Sequence, residues 1–373
     1  MISPSSAGAK RAGSHPEAAR SASKYAVLDG MRGLAALFVV VRHTPDLWDF
    51  SFFRSYLAVD LFFVLSGFVI AHAYDRKLSA GELTPARFMT ARLIRLYPAY
   101  FFSLAFCILV IALEVSRHAA SQEAGIGDYV VATLLSMLFL PSQIPGNFSL
   151  FPLNFPCWSL FFELVFNALY SATQKWLTRR VLLAIVVATG AFTVYCAMKN
   201  GGLDIGFLWG LRSVVTGGSR CFFGIFMGLL VYRHAHLFRV RSRLWCRYLP
   251  MAAVCLVLAS PSVPRFDWVC DALCITVVFP ACVALGGQRS TGRSDAVLLL
   301  LGAASYPVYV LHKPLGDLVK LGFDTAAIKS AAPWAGLLFV VLLTATAIVL
   351  ERIYDLPVRR FLTGKLRPAL APS

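Results

Sequence analysis

The chain has 373 residues, 58% of them hydrophobic and only 14% charged, with a mean hydropathy of +0.68. Ordinary globular proteins run at about 45–50% apolar and about 25% charged, so the chain holds too few ionic side chains for a soluble surface, and its apolar content excludes disorder. The net charge of +16, from 35 Lys and Arg against 19 Asp and Glu, falls in short clusters between apolar runs, which suits orientation by positive loops in a lipid bilayer and speaks against nucleic acid as a partner.

Residues 1–24 carry Lys10, Arg11, Arg20 and Lys24 against one acid, Glu17, and have no apolar stretch. They read as a disordered basic arm. The first apolar run is not a cleavable signal peptide: it holds Asp29 and Arg32, ends at His43 and lacks a small-residue cleavage site. Runs of bilayer-crossing length, about 17–25 residues, then recur at 27–44, 56–74, 96–115, 157–173, 181–198, 208–232, 248–260, 268–286, 297–313 and 333–350. The 248–260 run is short, and so is a further one at 129–141 that leads into an uncharged, Pro-rich stretch over 141–156. With a cytoplasmic N-terminus, and with 129–141 not crossing, the loops carrying Arg76 and Lys77, Lys175 and Arg179, Arg233 to Arg247, and Arg289 and Arg293 all fall inside. If 129–141 crosses, the later ones are exported, against the positive-inside bias. The pattern predicts an all-α polytopic bundle of about ten transmembrane helices with both termini cytoplasmic, and 129–156 as an outer hairpin or re-entrant piece. One membrane domain spans 25–361, followed by a tail over 362–373.

An ionisable side chain at mid-bilayer costs at least about 2.5–3.5 kcal/mol, so such residues mark function. Arg32 and His43 lie on the first run eleven residues apart. On an α-helix that is about 1,100° of rotation and about 16 Å of rise, returning His43 to within about 20° of the Arg32 face. Asp29, at i,i+3 from Arg32, can neutralise or orient the guanidinium. One stripe thus carries an anion binder near the cytoplasm and a proton-transfer group deeper. The competing readings are a snorkelling Arg32 and an interfacial His43. Arg92 and Arg95, at i,i+3 before the third long run, suit bidentate phosphate recognition or a plain positive-inside flank.

Asp60, on the second run with the Ser66-Gly67-Phe68 turn, can orient a histidine, pair with an arginine or mark the outer interface. Glu163 lies inside the 157–173 run with Ser159 one turn earlier and Trp158 beside it, either functional or the partner of a buried arginine. Ser305, Tyr309 and His312 share a face at i, i+4 and i+7, suited to hydrogen bonds across helices, although His312 and Lys313 also fit an outer boundary. The nine cysteines sit in or beside apolar runs and read as free thiols. Phosphate-loop, dinucleotide, HExxH and GxSxG patterns are absent, and the histidines lack metal spacing, so no metal is expected.

These stretches resemble the acyltransferase-3 family of integral-membrane acyltransferases. LDGMRGLAALFVVVRH is similar to its first-helix signature, an Arg and a His separated by ten residues, and VDLFFVLSGFVIAHAY to its second helix. RLIRLYPAY, WSLFFELVFN and SYPVYVLHKPL resemble three further blocks in family order, and LERIYDLPVRR the closing segment. The resemblance implies transfer of an acyl group, most often acetyl, from acyl-CoA to a hydroxyl of a carbohydrate or lipid-linked glycan, in a bacterial inner membrane. It implies that Arg32, Arg92 and Arg95, with Asp29 beside Arg32, hold the donor's phosphates and that His43 is the general base. Glu163 or Asp60 would then orient His43, and Trp158, Ser159, Tyr309 and His312 would line the acceptor. Many members follow WSL with two adjacent acids, whereas here Leu164 follows Glu163 and Asn167 stands where an aromatic is common. The rival reading is a glycan or lipid transporter, whose mark would be internal repeats with broken helices in matching positions; none is visible.

Overall fold

The computed structural model describes residues 25–117, 124–238, 244–288 and 295–370. The expected basic arm lies outside them, as do the loop charges Arg239, Arg241, Arg243, Arg289 and Arg293 and the last three residues of the tail. Every expected span is helical. Short helical turns such as Thr325–Ser330 apart, the helices among the described residues are, in chain order, α1 Ala26–His43, α2 Phe53–Ser79, α3 Pro85–Arg117, α4 Ile126–Met137, α5 Trp158–Thr173, α6 Arg179–Asn200, α7 Leu211–Arg233, α8 Leu244–Ala259, α9 Asp267–Gly286, α10 Asp295–Gly322, α11 Trp334–Leu350 and α12 Leu356–Leu370. No strand occurs among the described residues, only two isolated bridges. The fold is an all-α polytopic membrane bundle.

Among the described residues, seven helices are long and apolar enough to cross a membrane: α2, α3, α6, α7, α9, α10 and the rod Trp334–Leu366 formed by α11 and most of α12. The other three expected spans differ for physical reasons. α1 holds three charged side chains, Asp29, Arg32 and Arg42, while α5 and α8 have 16 residues each. The short 129–141 run becomes α4, 12 residues long, followed by an irregular segment whose Leu150, Phe151 and Leu153 are buried. The last carbonyls of α4 are tied to α3: Tyr97 Oη donates to Met137 O, and Tyr100 Oη donates at 2.7 Å to Ser136 O, which also accepts from the Phe139 N–H at 2.9 Å.

α1 sits at the centre, packed on α10, α2 and α8. α2 crosses α7 at close range because Gly67 and Gly228 face one another across the contact. A Cβ on Gly67 would run into the Ile225 carbonyl, and one on Gly228 into that of Val64, so only glycine lets the two backbones meet. α6 and α11 lie outside, and Val187, Leu338 and Val341 on them are exposed, an apolar surface of the kind a bilayer covers. Pro314 in α10 lacks an N–H and so frees the Val310 carbonyl. Ser103 Oγ and Asn154 Nδ2 take it at 2.5 and 2.9 Å, which pins the turn carrying Tyr309 and His312 against α3 and the segment before α5.

Candidate active site

Two chambers meet in the middle of the bundle. The inner one, of about 160 Å³, is lined by Arg32 of α1, Ser66 of α2, Arg92 and Arg95 of α3, Ser159 and Glu163 of α5, and Ser305, Tyr306 and Tyr309 of α10. The three arginines singled out on two separate runs are thus brought to one cavity. Arg32 Nη1 lies 2.9 Å from Asp29 Oδ1. Arg92 Nη2 donates to Glu163 Oε1 at 2.5 Å, and Ser66 Oγ donates to the same oxygen at 2.6 Å. Arg95 has no carboxylate partner among the described residues; its guanidinium lies 5.5 Å from the centre of the Tyr306 ring. Arg95 Nη1 and Arg92 Nε are buried without a hydrogen-bond partner. A buried N–H without an acceptor is costly, and here two of them belong to side chains that line a cavity, as donors awaiting an anion would.

The outer chamber, of about 420 Å³, has a different chemistry. Its walls include His43, Phe52, Phe53, Tyr56, Phe155, Trp158 and Phe207, with Arg42, Asp204 and Arg220. Arg42, next to His43 at the end of α1, pairs with Asp204, donates to the Phe53 carbonyl at 3.1 Å and lies over the Tyr56 ring. Arg220, buried in α7, donates to Asp60 Oδ1 and Oδ2 at 3.0 and 2.5 Å and to the Ile205 and Tyr56 carbonyls. Its guanidinium lies 5.4 Å from the Trp158 ring. Val59 and Tyr309 line both chambers and so form the wall between them. Tyr309 is fixed there by donating to the Pro156 carbonyl at 2.7 Å and by Ser159 Oγ at 2.8 Å.

The helical stripe read from α1 is present, but its two ends open into different chambers, Arg32 into the one towards the N-terminal end of α1 and His43 into the one towards its C-terminal end. His43 Nδ1 is 2.7 Å from His312 Nε2, and Phe155 packs edge-on at 4.7 Å between ring centres. The expectation that Glu163 or Asp60 orients His43 does not match this geometry. Each acid is committed to an arginine, Glu163 to Arg92 and Asp60 to Arg220. The expected acceptor lining also divides. Trp158 faces the outer chamber, Ser159 the inner one, Tyr309 both, and His312 is buried behind His43 and lines neither. Sequence reading missed Arg220, Arg42, Asp204, Ser66 and Tyr306. Of these, Arg220 carried a usable signal, since an arginine in the middle of the 208–232 run is costly without a partner. Among the described residues, no group of three or more His, Cys, Asp or Glu side chains could hold a metal ion.

The family model described as an acyltransferase domain matches residues 25–352, most of the chain. The chain belongs to the acyltransferase-3 family. It is therefore an acyltransferase of the kind that moves groups other than aminoacyl groups, built as an integral membrane protein. This acyltransferase is 40% identical over 184 residues to "Protein 2 in picA locus" of Rhizobium radiobacter, a match covering 47% of the chain and 94% of that protein. It is 30% identical over 157 residues to "Exopolysaccharide production protein ExoZ" of Rhizobium meliloti (strain 1021), covering 39% of the chain and 45% of that relative. No solved structure matches it significantly.

Proposed function

We propose that this acyltransferase moves an acyl group, acetyl in the simplest case, from cytoplasmic acyl-CoA to a hydroxyl of a cell-surface or lipid-linked polysaccharide at the bacterial inner membrane. The observation that carries the reading is the pair of back-to-back chambers, arginines in one and His43 in the other, meeting at Val59 and Tyr309. With the N-terminus inside, the arginine chamber opens towards the cytoplasm, where CoA is made. Arg32, Arg92 and Arg95 then hold the donor's phosphates, and the open N–H groups of Arg92 and Arg95 find their acceptors there. The pantetheine arm reaches along α1 and presents the thioester at the Tyr309 wall.

The outer chamber suits a sugar. Aromatic faces such as Trp158, Phe155 and Phe207 cover the apolar face of a pyranose, and the Arg42–Asp204 pair offers donors and acceptors for hydroxyl groups. The named role of the relative in exopolysaccharide production supports a polysaccharide acceptor. In the reaction the acceptor oxygen bonds to the thioester carbonyl carbon while His43 takes its proton. The C–S bond then breaks and the proton leaves with CoA as its thiol. An imidazole, which can take up a proton and give it back, is the fitting base for that step.

The test compares wild type, Arg32→Ala and His43→Ala for binding of radiolabelled acetyl-CoA and for label transfer to a lipid-linked glycan extract. We expect poor donor binding by Arg32→Ala, and normal binding without transfer by His43→Ala. Transfer at the wild-type rate by His43→Ala would show that this histidine is not the base.

A further inference from the structure

The base of the reaction has a partner that is not an acid. His312 lies on α10, 0% exposed, and both of its ring nitrogens are engaged. Nδ1 is 2.7 Å from the Tyr309 carbonyl, and Nε2 is 2.7 Å from His43 Nδ1. A carbonyl can only accept, so His312 Nδ1 carries a hydrogen. No carboxylate bonds either ring, and an unpaired charge at so buried a position is costly, so the ring is neutral and Nε2 is its bare nitrogen. A bare nitrogen can only accept, so His43 Nδ1 must donate to it. The hydrogen of neutral His43 is thereby placed on Nδ1, and the lone pair of the ring is left on Nε2, which makes no hydrogen bond among the described residues.

The geometry suits a hydrogen bond rather than face-to-face stacking. The rings are nearly coplanar, 15° apart with centres 5.0 Å apart around the 2.7 Å contact, so they meet edge to edge and the N–H points along the ring plane. Three contacts hold the arrangement: Phe155 against the His43 ring, the Tyr309 hydroxyl on Pro156, and the Val310 carbonyl on Ser103 and Asn154.

We propose that His312 is a positioning residue that locks His43 in the tautomer whose Nε2 accepts the proton of the acceptor hydroxyl. The inference rests on the acyl-transfer reading above. When Nε2 takes the proton, His43 becomes an imidazolium and its Nδ1–H bond to His312 becomes charge-assisted. That bond is therefore stronger in the transition state than in the ground state, the condition for it to speed the reaction. In the usual arrangement a carboxylate fills this position; here a neutral imidazole does.

The test uses full-length protein in lipid nanodiscs, as wild type, His43→Ala, His312→Leu and His312→Gln. Nitrogen NMR of isotope-labelled histidines, with His43 assigned by its loss in His43→Ala, reads the tautomer directly. We expect wild-type His43 protonated on Nδ1, with the preference lost in His312→Leu. In turnover, His312→Leu should lose about 10–100-fold in kcat, by analogy with removal of the hydrogen-bond partner of a metal-ligating histidine, with KM for acetyl-CoA unchanged. His312→Gln keeps an acceptor at the ε position and should recover most of that loss. Wild-type His43 protonated on Nε2, His312→Leu turning over at the wild-type rate, or equal losses in the Leu and Gln variants would each overturn the proposal. Should His312→Leu fail to fold, the wild-type spectrum still decides. A wild type that transfers no label, or a fully active His43→Ala, would instead sink the underlying acyl-transfer or base assignment, and the NMR measurement is independent of both.

Discussion

Glu163→Gln separates two roles for the acid in the inner chamber. Glu163 Oε1 accepts from Arg92 at 2.5 Å and from Ser66 at 2.6 Å, and a glutamine Oε1 can accept from both donors. The substitution therefore keeps the local geometry and removes one negative charge from the place proposed for the donor's phosphates. A phosphate on the far side of the Arg92 guanidinium lies about 7 Å from that carboxylate, where two unit charges repel by about 2.4 kcal/mol at an effective dielectric of about 20. Screening in a chamber open to salt at about 0.15 M brings this to about 1 kcal/mol, or roughly fivefold in the dissociation constant. Equilibrium binding of radiolabelled acetyl-CoA should tighten by that factor at physiological salt, and by more at low salt, with kcat little changed. A large fall in kcat at unchanged donor affinity would refute the reasoning and return Glu163 to the support of His43.

Arg95 has no carboxylate to satisfy it, so Arg95→Ala should weaken acetyl-CoA binding by about 1.5–3 kcal/mol, roughly 10–150-fold. Lysine should recover only part, for want of the planar fork; unchanged binding in the alanine variant would place the phosphates elsewhere. The Asp60–Arg220 pair should respond unequally to removal of its members, as read by reversible unfolding in SDS. Arg220→Met strands a buried acid whose side-chain hydrogen bonds among the described residues come from Arg220, at a cost of about 3–5 kcal/mol. Asp60→Asn should cost less, because Arg220 keeps the Ile205 and Tyr56 carbonyls; equal losses would mean that those carbonyl bonds contribute nothing. Gly228→Leu should abolish recovery of monodisperse protein by forcing α7 away from α2, whereas Gly127→Leu, into open space, should leave it intact. Normal behaviour of the Gly228 variant would mean that the close crossing is dispensable.

The helices were legible because a bilayer imposes a simple rule on composition, and each of the ten apolar runs lies on a helix, although α3 starts eleven residues before its run and α10 ends nine residues after its own. The inner chamber was half legible. Arg32, Arg92 and Arg95 each stood out by local spacing, but that α1 and α3 turn them into one cavity is a tertiary fact, reached in the sequence only through the family resemblance. The partner of His43 was out of reach, since His312 lies 269 positions away and no periodicity links the two. The resemblance puts Asp60 or Glu163 beside His43, and the structure pairs each with an arginine for a physical reason. In the sequence both acids also read as possible partners of an arginine, and pairing inside a low-dielectric bundle is decided by charge. A carboxylate beside a guanidinium gains Coulombic energy that a neutral imidazole cannot offer. So Asp29, Asp60, Glu163 and Asp204 bond Arg32, Arg220, Arg92 and Arg42. Once the arginines have taken every acid at the two chambers, the ring beside His43 is the neutral His312. Arg220, which sequence reading overlooked, is what decides among the readings of Asp60, because the charge in the middle of the 208–232 run was already a demand for a buried carboxylate.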